Sequence, residues 1–430
     1  MMEMVKPNLP KGLCVLCKGS RNLCGKDICP IILKQQALIP MKKIDLTSMT
    51  DLFGSSPPSF FVGHYNYPDV LVGPMIPPLI GKGEDIQILD RPDRWYGKPI
   101  EELVGYRTRL IRSALRVHVK KFEDNRMLEL SQELAMAERP VDAEVHFEKV
   151  PKFRIIYDSH SPPMGPLGHI EKLEIAENPK VNLFVEKTVS DTDFRANSGL
   201  NYLYSQGLPV TDIIRVLSAG LLGLKKNRKL VPTRWAITAA DDAISKKIII
   251  KIKDFPEVDK YQLYSAKYLD NSFQILLLPR EWAFEQLETW SGKSAFNPHP
   301  EPVITADHEF YSGRTTYASH VTGAYYSARL AVVEHLTRIR RQAAAISFRE
   351  VSSGYIVPLG VWVIRETVRD AFRRPPLIFE TLGAALNEIA GHFQTPLQNW
   401  IQTSAILDNT MKQRTLLDYI QFKGKREKIK

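Results

Sequence analysis

Four cysteines near the N-terminus are the residues whose type and spacing most clearly indicate chemistry. Cys14, Cys17, Cys24 and Cys29 are the only cysteines in the 430-residue chain. A disulfide scaffold would spread its bridges along the chain, whereas thiols clustered in this way are typical of a metal site in a reducing compartment. Four thiolates form a closed tetrahedron around zinc and leave no open position for a substrate. We therefore predict a structural zinc site.

An iron–sulfur cluster is the main alternative at these cysteines, because four thiolates in a short run also ligate iron. Their spacing matches neither of the common ferredoxin patterns. Free or redox-active thiols are the third alternative. The sequence favours zinc among the three.

The segment 413–420 near the C-terminus has the spacing of a binding peptide. Gln413, Leu416, Tyr419 and Ile420 stand at relative positions one, four, seven and eight, and a lysine-rich tail follows. One helical turn would place the aliphatic and the aromatic side chain on the same side. The spacing is similar to the PIP motif, in which glutamine enters a polar pocket of the DNA sliding clamp, PCNA, and the apolar residues plug a groove. We therefore predict that this segment binds the clamp.

Two features of this segment leave room for another interpretation. The eighth position of the motif is usually a second aromatic residue, and here it is Ile420. The same apolar residues could also form the inner face of a last helix that packs on the domain. The position beside a terminal basic tail favours the clamp interpretation, since an accessible ligand peptide belongs at a chain end.

Six further residues could take part in catalysis if the protein is an enzyme. They are Asp307, Glu309, Arg314, His64, Asp158 and His160. Carboxylates at positions 307 and 309 would share one face of a strand and could hold Mg²⁺ or Mn²⁺, with the arginine steadying a phosphate, as in a metal-dependent nuclease. The alternative for each is a hydrogen-bonded structural residue. Whether the loops carrying these residues meet does not follow from the sequence.

Other classes of function are disfavoured by the sequence. It contains neither the Gly-x-x-x-x-Gly-Lys phosphate loop nor the Gly-x-Gly-x-x-Gly dinucleotide motif. No stretch approaches the roughly 20 apolar residues that cross a bilayer. We therefore expect an intracellular, cytoplasmic protein without a membrane partner. The net charge of +10 favours DNA as a partner and a nucleoid location, although a merely solvated lysine-rich surface would have the same charge.

The elements that must position these residues predict an α+β fold, with mixed α/β as the alternative. Hairpins are predicted over 60–75 and over Tyr261–Tyr268 with 273–278, from β-branched and aromatic runs around turn residues. Apolar residues at helical intervals predict helices over 99–117, 209–224, 323–341, 376–393 and 396–411. The domain boundaries follow: a zinc ribbon at 1–39, a connector at 40–58, a main domain of one or two subdomains at 59–410, and the clamp peptide with a flexible basic tail at 411–430.

Taken together, several motifs resemble the archaeal Nre family of DNA repair proteins. They are the four-cysteine ribbon, the stretch from Phe61 through His64 to Pro68 with Val72-Gly73-Pro74-Met75, the tripeptide Gly313-Arg314-Thr315, and the C-terminal segment. The resemblance covers essentially the whole chain. It implies a role in the response to DNA damage, the sliding clamp as partner, a zinc finger at the four cysteines and a clamp motif at 413–420. It implies no particular chemical activity.

Overall fold

A computed structural model of the chain describes residues 50–121, 124–152, 162–292, 297 and 301–412, together with Cys17, Arg21, Leu23, Cys29 and Ile32. Within these residues the chain forms two mixed β-sheets with helices packed on them. The predicted α+β class is therefore confirmed.

The first sheet is built from strands between Asp51 and Ile175. Its strands are β1 (Asp51–Ser56), β2 (Phe61–Val62), β3 (Asp69–Gly73), β4 (Met75–Ile76), β5 (Ile111–His118), β6 (Val141–Phe147) and β7 (Leu167–Ile175). Their order is β1-β6-β7-β5-β3-β2, with β4 also beside β5. All pairs are antiparallel except β5 with β7. Leu115 and Val117 of β5 face the core, whereas Arg116 between them is exposed.

In the described part of the chain, seven helices follow β4 and precede the second sheet; three lie between strands of the first sheet, and four lead from it to the second. They are α1 (Glu84–Gln87), α2 (Ile100–Arg109), α3 (Arg126–Met136), α4 (Leu183–Ser190), α5 (Ala196–Ser205), α6 (Val210–Ser218) and α7 (Thr233–Ile252), with short 3₁₀ turns at Ile88–Asp90, Pro92–Arg94 and Lys225–Asn227. Helix α7 buries Ala236, Ala240, Ile244 and Ile252. These residues recur at intervals of four and eight, so one stripe of the helix faces the core.

The second sheet carries the strands of the remaining chain. They are β8 (Tyr261–Tyr268), β9 (Asn271–Leu278), β10 (Ala283–Trp290), β11 (Val303–Glu309), β12 (Ala344–Val351) and β13 (Leu377–Phe379), in the order β11-β10-β12-β9-β8-β13. Strand β12 pairs in parallel with β10, and the other pairs are antiparallel. A late strand thus lies between two earlier ones.

Helices cover both faces of this sheet. They are α8 (Gly323–Ile339), α9 (Trp362–Ala371), α10 (Leu382–Ala390), α11 (Leu397–Thr403) and α12 (Ala405–Lys412). Phe273 and Ile275 of β9 join the core of α7, α8 and α9, while Leu276 and Leu278 join the core of α10 to α12. Because both faces are buried, β9 ends in a continuous apolar run instead of alternating with polar residues.

Several predicted elements differ from the structure. The predicted helix 99–117 is wrong beyond Arg109, because Ile111–His118 forms β5. The apolar residues of this segment also fit the alternating pattern of a strand. Pairing with β3, β4 and β7 stabilises the strand over the helix. Arg107 and Arg109 therefore lie on α2, whereas Arg112 and Arg116 lie on β5.

Other boundaries also move. The predicted helix 209–224 ends at Ser218, before Gly220 with its positive φ of 73°. The predicted helix 376–393 begins as a strand, β13, and the predicted helix 396–411 is divided into α11 and α12 at Ser404. Strand β1 lies inside the predicted connector and pairs with β6, so the first sheet begins earlier than residue 59. The hairpin β2–β3, the hairpin β8–β9 and the helix at 323–341 are confirmed.

Candidate functional site

The carboxylates of β11 lie side by side in the interior. Asp307 and Glu309 are 2% and 3% exposed and, as predicted, occupy alternate positions of one strand. Asp307 accepts hydrogen bonds from the backbone N–H groups of His320 and Val321, both at 2.8 Å. Its other oxygen lies 2.8 Å from Arg314 Nη2. The strand therefore places Asp307 where it holds the loop 310–322.

Arg314 is the second half of this arrangement. Its guanidinium donates to the carbonyl oxygens of His308, Thr316 and Tyr317 at 2.9 to 3.0 Å, besides its ion pair with Asp307. Gly313 supplies the left-handed backbone conformation, with φ of 83°, that turns the chain toward Arg314. The tripeptide Gly313-Arg314-Thr315 thus closes a loop on the end of β11.

Glu309 belongs to a separate buried network. Its carboxylate accepts from Arg329 Nη1 at 2.8 Å, and Arg329 also contacts Asp242 of α7. Burial and the Glu309 carboxylate raise the pKa of Tyr325, whose ring lies beneath the Arg329 guanidinium. A cation at Asp307 and Glu309 would have to displace two arginines. The catalytic assignment of these residues stays a prediction, and their observed contacts are structural.

His64 lies on the β2–β3 hairpin, beside the start of α7. The His64 and Tyr65 rings are 4.3 Å apart, and Tyr67 lies 5.1 Å from Trp235 in the first turn of α7. Burial, assisted by the nearby Arg234 cation, lowers the pKa of His64. Among the described residues no hydrogen bond or ion pair joins His64 to the β11 carboxylates. Among the described candidates, Asp307 and Arg314 are in direct contact, and His64 is not bonded to either carboxylate.

Several other predicted site residues lie outside the description. Asp158 and His160 are among them, as are Cys14, Cys24 and the whole clamp segment with Gln413, Leu416, Tyr419 and Ile420. Cys17 is buried and Cys29 is partly buried. The zinc site and the clamp motif stay predictions.

A cleft between α6, α8 and α9 was not foreseen from the sequence. It has a volume of about 520 Å³, and its wall includes Tyr204, Glu334, Glu366 and Arg369. Arg369 donates two hydrogen bonds to Glu334, at 2.6 and 2.8 Å, and one to Glu366 at 2.9 Å. Burial raises the pKa of Glu366, and the Arg369 cation opposes that shift. Since these charges are already paired, the cleft offers polar groups rather than a net charge.

Sequence reasoning also missed Arg234 and Trp235. Both side chains are exposed at the start of α7, beside the hairpin tip. The signal available was a cation followed by a large aromatic residue, two and three positions after Pro232, where a helix begins. That signal gains its meaning only from the neighbouring hairpin.

The fold and these contacts define an α+β protein whose two sheets share one core, and comparison with known proteins assigns its family. The family described as archaeal Nre, N-terminal, matches residues 23–297, and archaeal Nre, C-terminal, matches residues 309–419. The chain belongs to the archaeal Nre family.

Curated relatives agree with this assignment. The DNA repair protein NreB of Archaeoglobus fulgidus is 39% identical over 407 residues, which cover 95% of this chain and 100% of the relative. The DNA repair protein NreA of Haloferax volcanii is 37% identical over 80% of this chain and 84% of its own length. NreA of Archaeoglobus fulgidus is 37% identical over 87% and 92%. No solved structure matches the chain.

None of the described helices is long and apolar enough to cross a membrane.

Proposed function

We propose that this chain is a DNA repair protein that the sliding clamp recruits to DNA through residues 413–420. The observation that carries the proposal is the similarity to proteins named for DNA repair, which spans 95% of the chain and the full length of one relative. The net charge of +10 is consistent with work close to a polyanion. In this role the protein associates with the nucleoid.

The attachment of α12 supports the clamp part of the proposal. Ile406 and Leu407 are buried, and Arg280 Nη1 donates to Thr410 Oγ1 at 2.9 Å. The structure describes helix α12 as far as Lys412, so Gln413 directly follows a segment that is fixed to the second sheet. A peptide at this position would join the clamp to the folded body through a short tether, which favours simultaneous binding of clamp and DNA.

The first test is a calorimetric titration of the sliding clamp with the full chain. The triple variant Gln413→Ala, Leu416→Ala, Tyr419→Ala removes the three anchors and should weaken binding at least about 100-fold, because a few anchor residues carry most of the energy of such interfaces. The matched control Arg414→Ala, Thr415→Ala, Asp418→Ala changes three neighbours outside the pattern and should bind within a few-fold of the unaltered chain. If the unaltered chain does not bind the clamp, recruitment by the clamp is wrong. The apolar residues of 413–420 would then be better explained as the inner face of a last helix that packs on the domain.

We further propose that Cys14, Cys17, Cys24 and Cys29 hold a structural zinc ion. Four thiolates are a donor set that zinc binds as a closed tetrahedral shell, and the ion would stabilise the ribbon without taking part in a reaction. Metal analysis of the purified full chain should give one zinc per molecule. Iron with a visible absorption band would overturn the proposal and identify a cluster instead.

A further inference from the structure

The tip of the β2–β3 hairpin and the start of α7 form one exposed aromatic surface, defined here by Tyr65, Tyr67 and Trp235 and called the aromatic platform. These side chains are 78%, 43% and 45% exposed. The Tyr67 and Trp235 rings are 5.1 Å apart, and Tyr65 stands two residues before Tyr67 at the hairpin tip. Single exposed rings are common on proteins, but exposed rings grouped in this way are of the kind that marks a binding surface. The platform therefore calls for a ligand with flat, apolar faces.

The platform is held in place by the fold. The backbone N–H of Val62 donates to Thr233 Oγ1 at 2.9 Å, which ties the hairpin to the first residue of α7. Thr233 Oγ1 also lies 3.0 Å from Ser218 Oγ at the end of α6. The backbone N–H of Val119 donates to the carbonyl oxygen of Pro68 at 3.0 Å and fixes the other side of the tip. The rings are exposed on a supported framework, which reduces the entropy lost on binding.

Cations surround the platform. Arg234 is exposed next to Trp235 and close enough to lower the pKa of His64. Lys120 and Lys121 are exposed beside Pro68, and Lys229 is exposed next to Leu230, whose N–H donates to the carbonyl oxygen of Val119.

Acidic residues are scarce in the same segments. Asp69 is the single carboxylate among residues 61–73, 116–121 and 229–235. None of the four cations just named takes part in an ion pair with any residue in the described ranges. The ligand that complements this surface is therefore negatively charged.

We propose that the aromatic platform binds single-stranded DNA, with unpaired bases stacked on Tyr65 and Trp235 and phosphates beside Arg234, Lys120 and Lys229. A single strand offers both the flat faces and the negative charge that the surface complements. A duplex offers the charge alone, because its bases are stacked on one another and present only their edges. The inference rests on the proposed repair function and adds the kind of DNA that the protein holds.

The test is fluorescence anisotropy of a labelled oligothymidylate of about 15 nucleotides, a length within the range of single-strand binding sites, with the full chain and without the clamp. The double variant Tyr65→Ala, Trp235→Ala should weaken binding about 30-fold or more, since each base–aromatic stack is worth about 1–3 kcal/mol. The double variant Tyr65→Phe, Trp235→Phe keeps an aromatic ring at both positions and should stay within about threefold of the unaltered chain.

Two controls separate stacking from general charge. Phe53→Ala removes an exposed ring, 48% accessible, from β1 at the opposite edge of the first sheet and should leave the affinity unchanged. Lys120→Ala with Lys229→Ala should reduce the dependence of affinity on salt, because fewer counterions are released. An unlabelled duplex of the same length should compete at least about tenfold less well than the single strand.

The outcomes distinguish this inference from clamp recruitment. The triple alanine variant at Gln413, Leu416 and Tyr419 should still bind single-stranded DNA. The double variant Tyr65→Ala, Trp235→Ala should still bind the clamp. Three results would contradict single-strand binding by the platform: no binding of the oligothymidylate by the unaltered chain, equal competition by the duplex, or unchanged affinity without the two rings. None of these results bears on the proposed function, which the clamp titration tests.

Discussion

At the scale of single residues, the interior of this protein contains several buried ion pairs. Arg365 pairs with Asp241 at 2.6 Å, and Arg349 pairs with Glu288 at 2.8 Å, with all four residues largely buried. Removing one partner of such a pair strands the other charge in a medium that solvates it poorly. Substitution of any of these residues is therefore expected to lower the stability of the fold, whatever its effect on activity.

Asp307 allows a direct test of a structural against a catalytic role. Asp307→Ala leaves Arg314 and the N–H groups of His320 and Val321 without their acceptor. We expect the free energy of unfolding to fall by about 3 kcal/mol, as for other broken buried pairs, measured by urea denaturation.

The control Asp259→Ala changes an exposed carboxylate and should alter stability by less than about 0.5 kcal/mol. An Asp307→Ala chain as stable as the unaltered one would contradict the structural role. If the chain cleaves DNA with Mg²⁺ or Mn²⁺, and a stable variant at Asp307 has lost that cleavage, the nuclease hypothesis gains support.

His335 gives the protein a defined pH dependence. Burial, together with the Arg338 cation, lowers its pKa to about 3. Its ring receives a hydrogen bond from Arg338, lies 3.1 Å from the Tyr264 hydroxyl and stacks on Phe372. The His335 ring is therefore neutral in the folded protein.

Below pH 6.5 the unfolded chain gains a proton on His335 that the folded chain does not bind until about pH 3. The stability that the neutral His335 ring contributes is thus present above pH 6.5, and it is lost progressively as the pH falls from 6.5 toward 3. Between pH 7 and pH 5 the unaltered chain should lose about 2 kcal/mol more than His335→Gln, which has no titrating ring. Urea denaturation at both pH values measures the difference, and parallel losses would contradict the assignment.

At the scale of elements, a buried carboxylate caps the start of α12, in addition to the apolar contacts and the Arg280 hydrogen bond that hold this helix. Glu285 of β10 accepts from the backbone N–H groups of Ala405 and Ile406, at 2.8 and 3.2 Å, and contacts the Ser404 hydroxyl. Carboxylates stabilise helix N-termini because the first N–H groups lack partners within the helix. This cap could not be predicted from local sequence, because its acceptor stands on a strand more than a hundred residues earlier.

Glu285→Ala should therefore loosen α12 specifically. We expect a loss of about 2 kcal/mol in the free energy of unfolding and faster amide hydrogen exchange over Ala405–Lys412. Glu281→Ala, at an exposed position just before β10, is the matched control and should change neither. Unchanged protection of α12 in the Glu285 variant would show that the apolar contacts alone hold the helix.

Patterns in the sequence predicted elements well where one periodicity dominated. The helix at 323–341 and the two hairpins were predicted correctly because their apolar spacing or turn residues allow one interpretation. The segment 99–117 was predicted wrongly in its second half because Ile111 and Leu115 are four apart and also two strand repeats apart. Only strand pairing separates those two periodicities.

At the scale of the whole molecule, the two family segments do not correspond to two separate cores. Strand β12, from the second segment, lies between β9 and β10 of the first. One apolar cluster runs from Leu52 on β1 to Phe372 after α9. The order of strands predicts that neither part folds without the other.

Separate expression of residues 1–300 and 301–430 should test this prediction. The first fragment lacks β11 and β12, so β9 would lose one of its strand partners and β10 would lose both. We expect neither fragment to unfold cooperatively in urea, and we expect the co-expressed pair to associate and recover a single transition. Cooperative unfolding of the first fragment alone would contradict the shared core.

The sequence by itself determined the clustered cysteines, the spacing of the C-terminal segment, the α+β class and the family, because each of these depends on residue types and short-range intervals. The tertiary structure alone decided that Asp307 binds Arg314 and two backbone N–H groups, and that Tyr67 meets Trp235. The hairpin and α7 come together through a hydrogen bond between residues 171 positions apart. Local patterns carry no information about such a contact, since it depends on how the sheets and helices share their core.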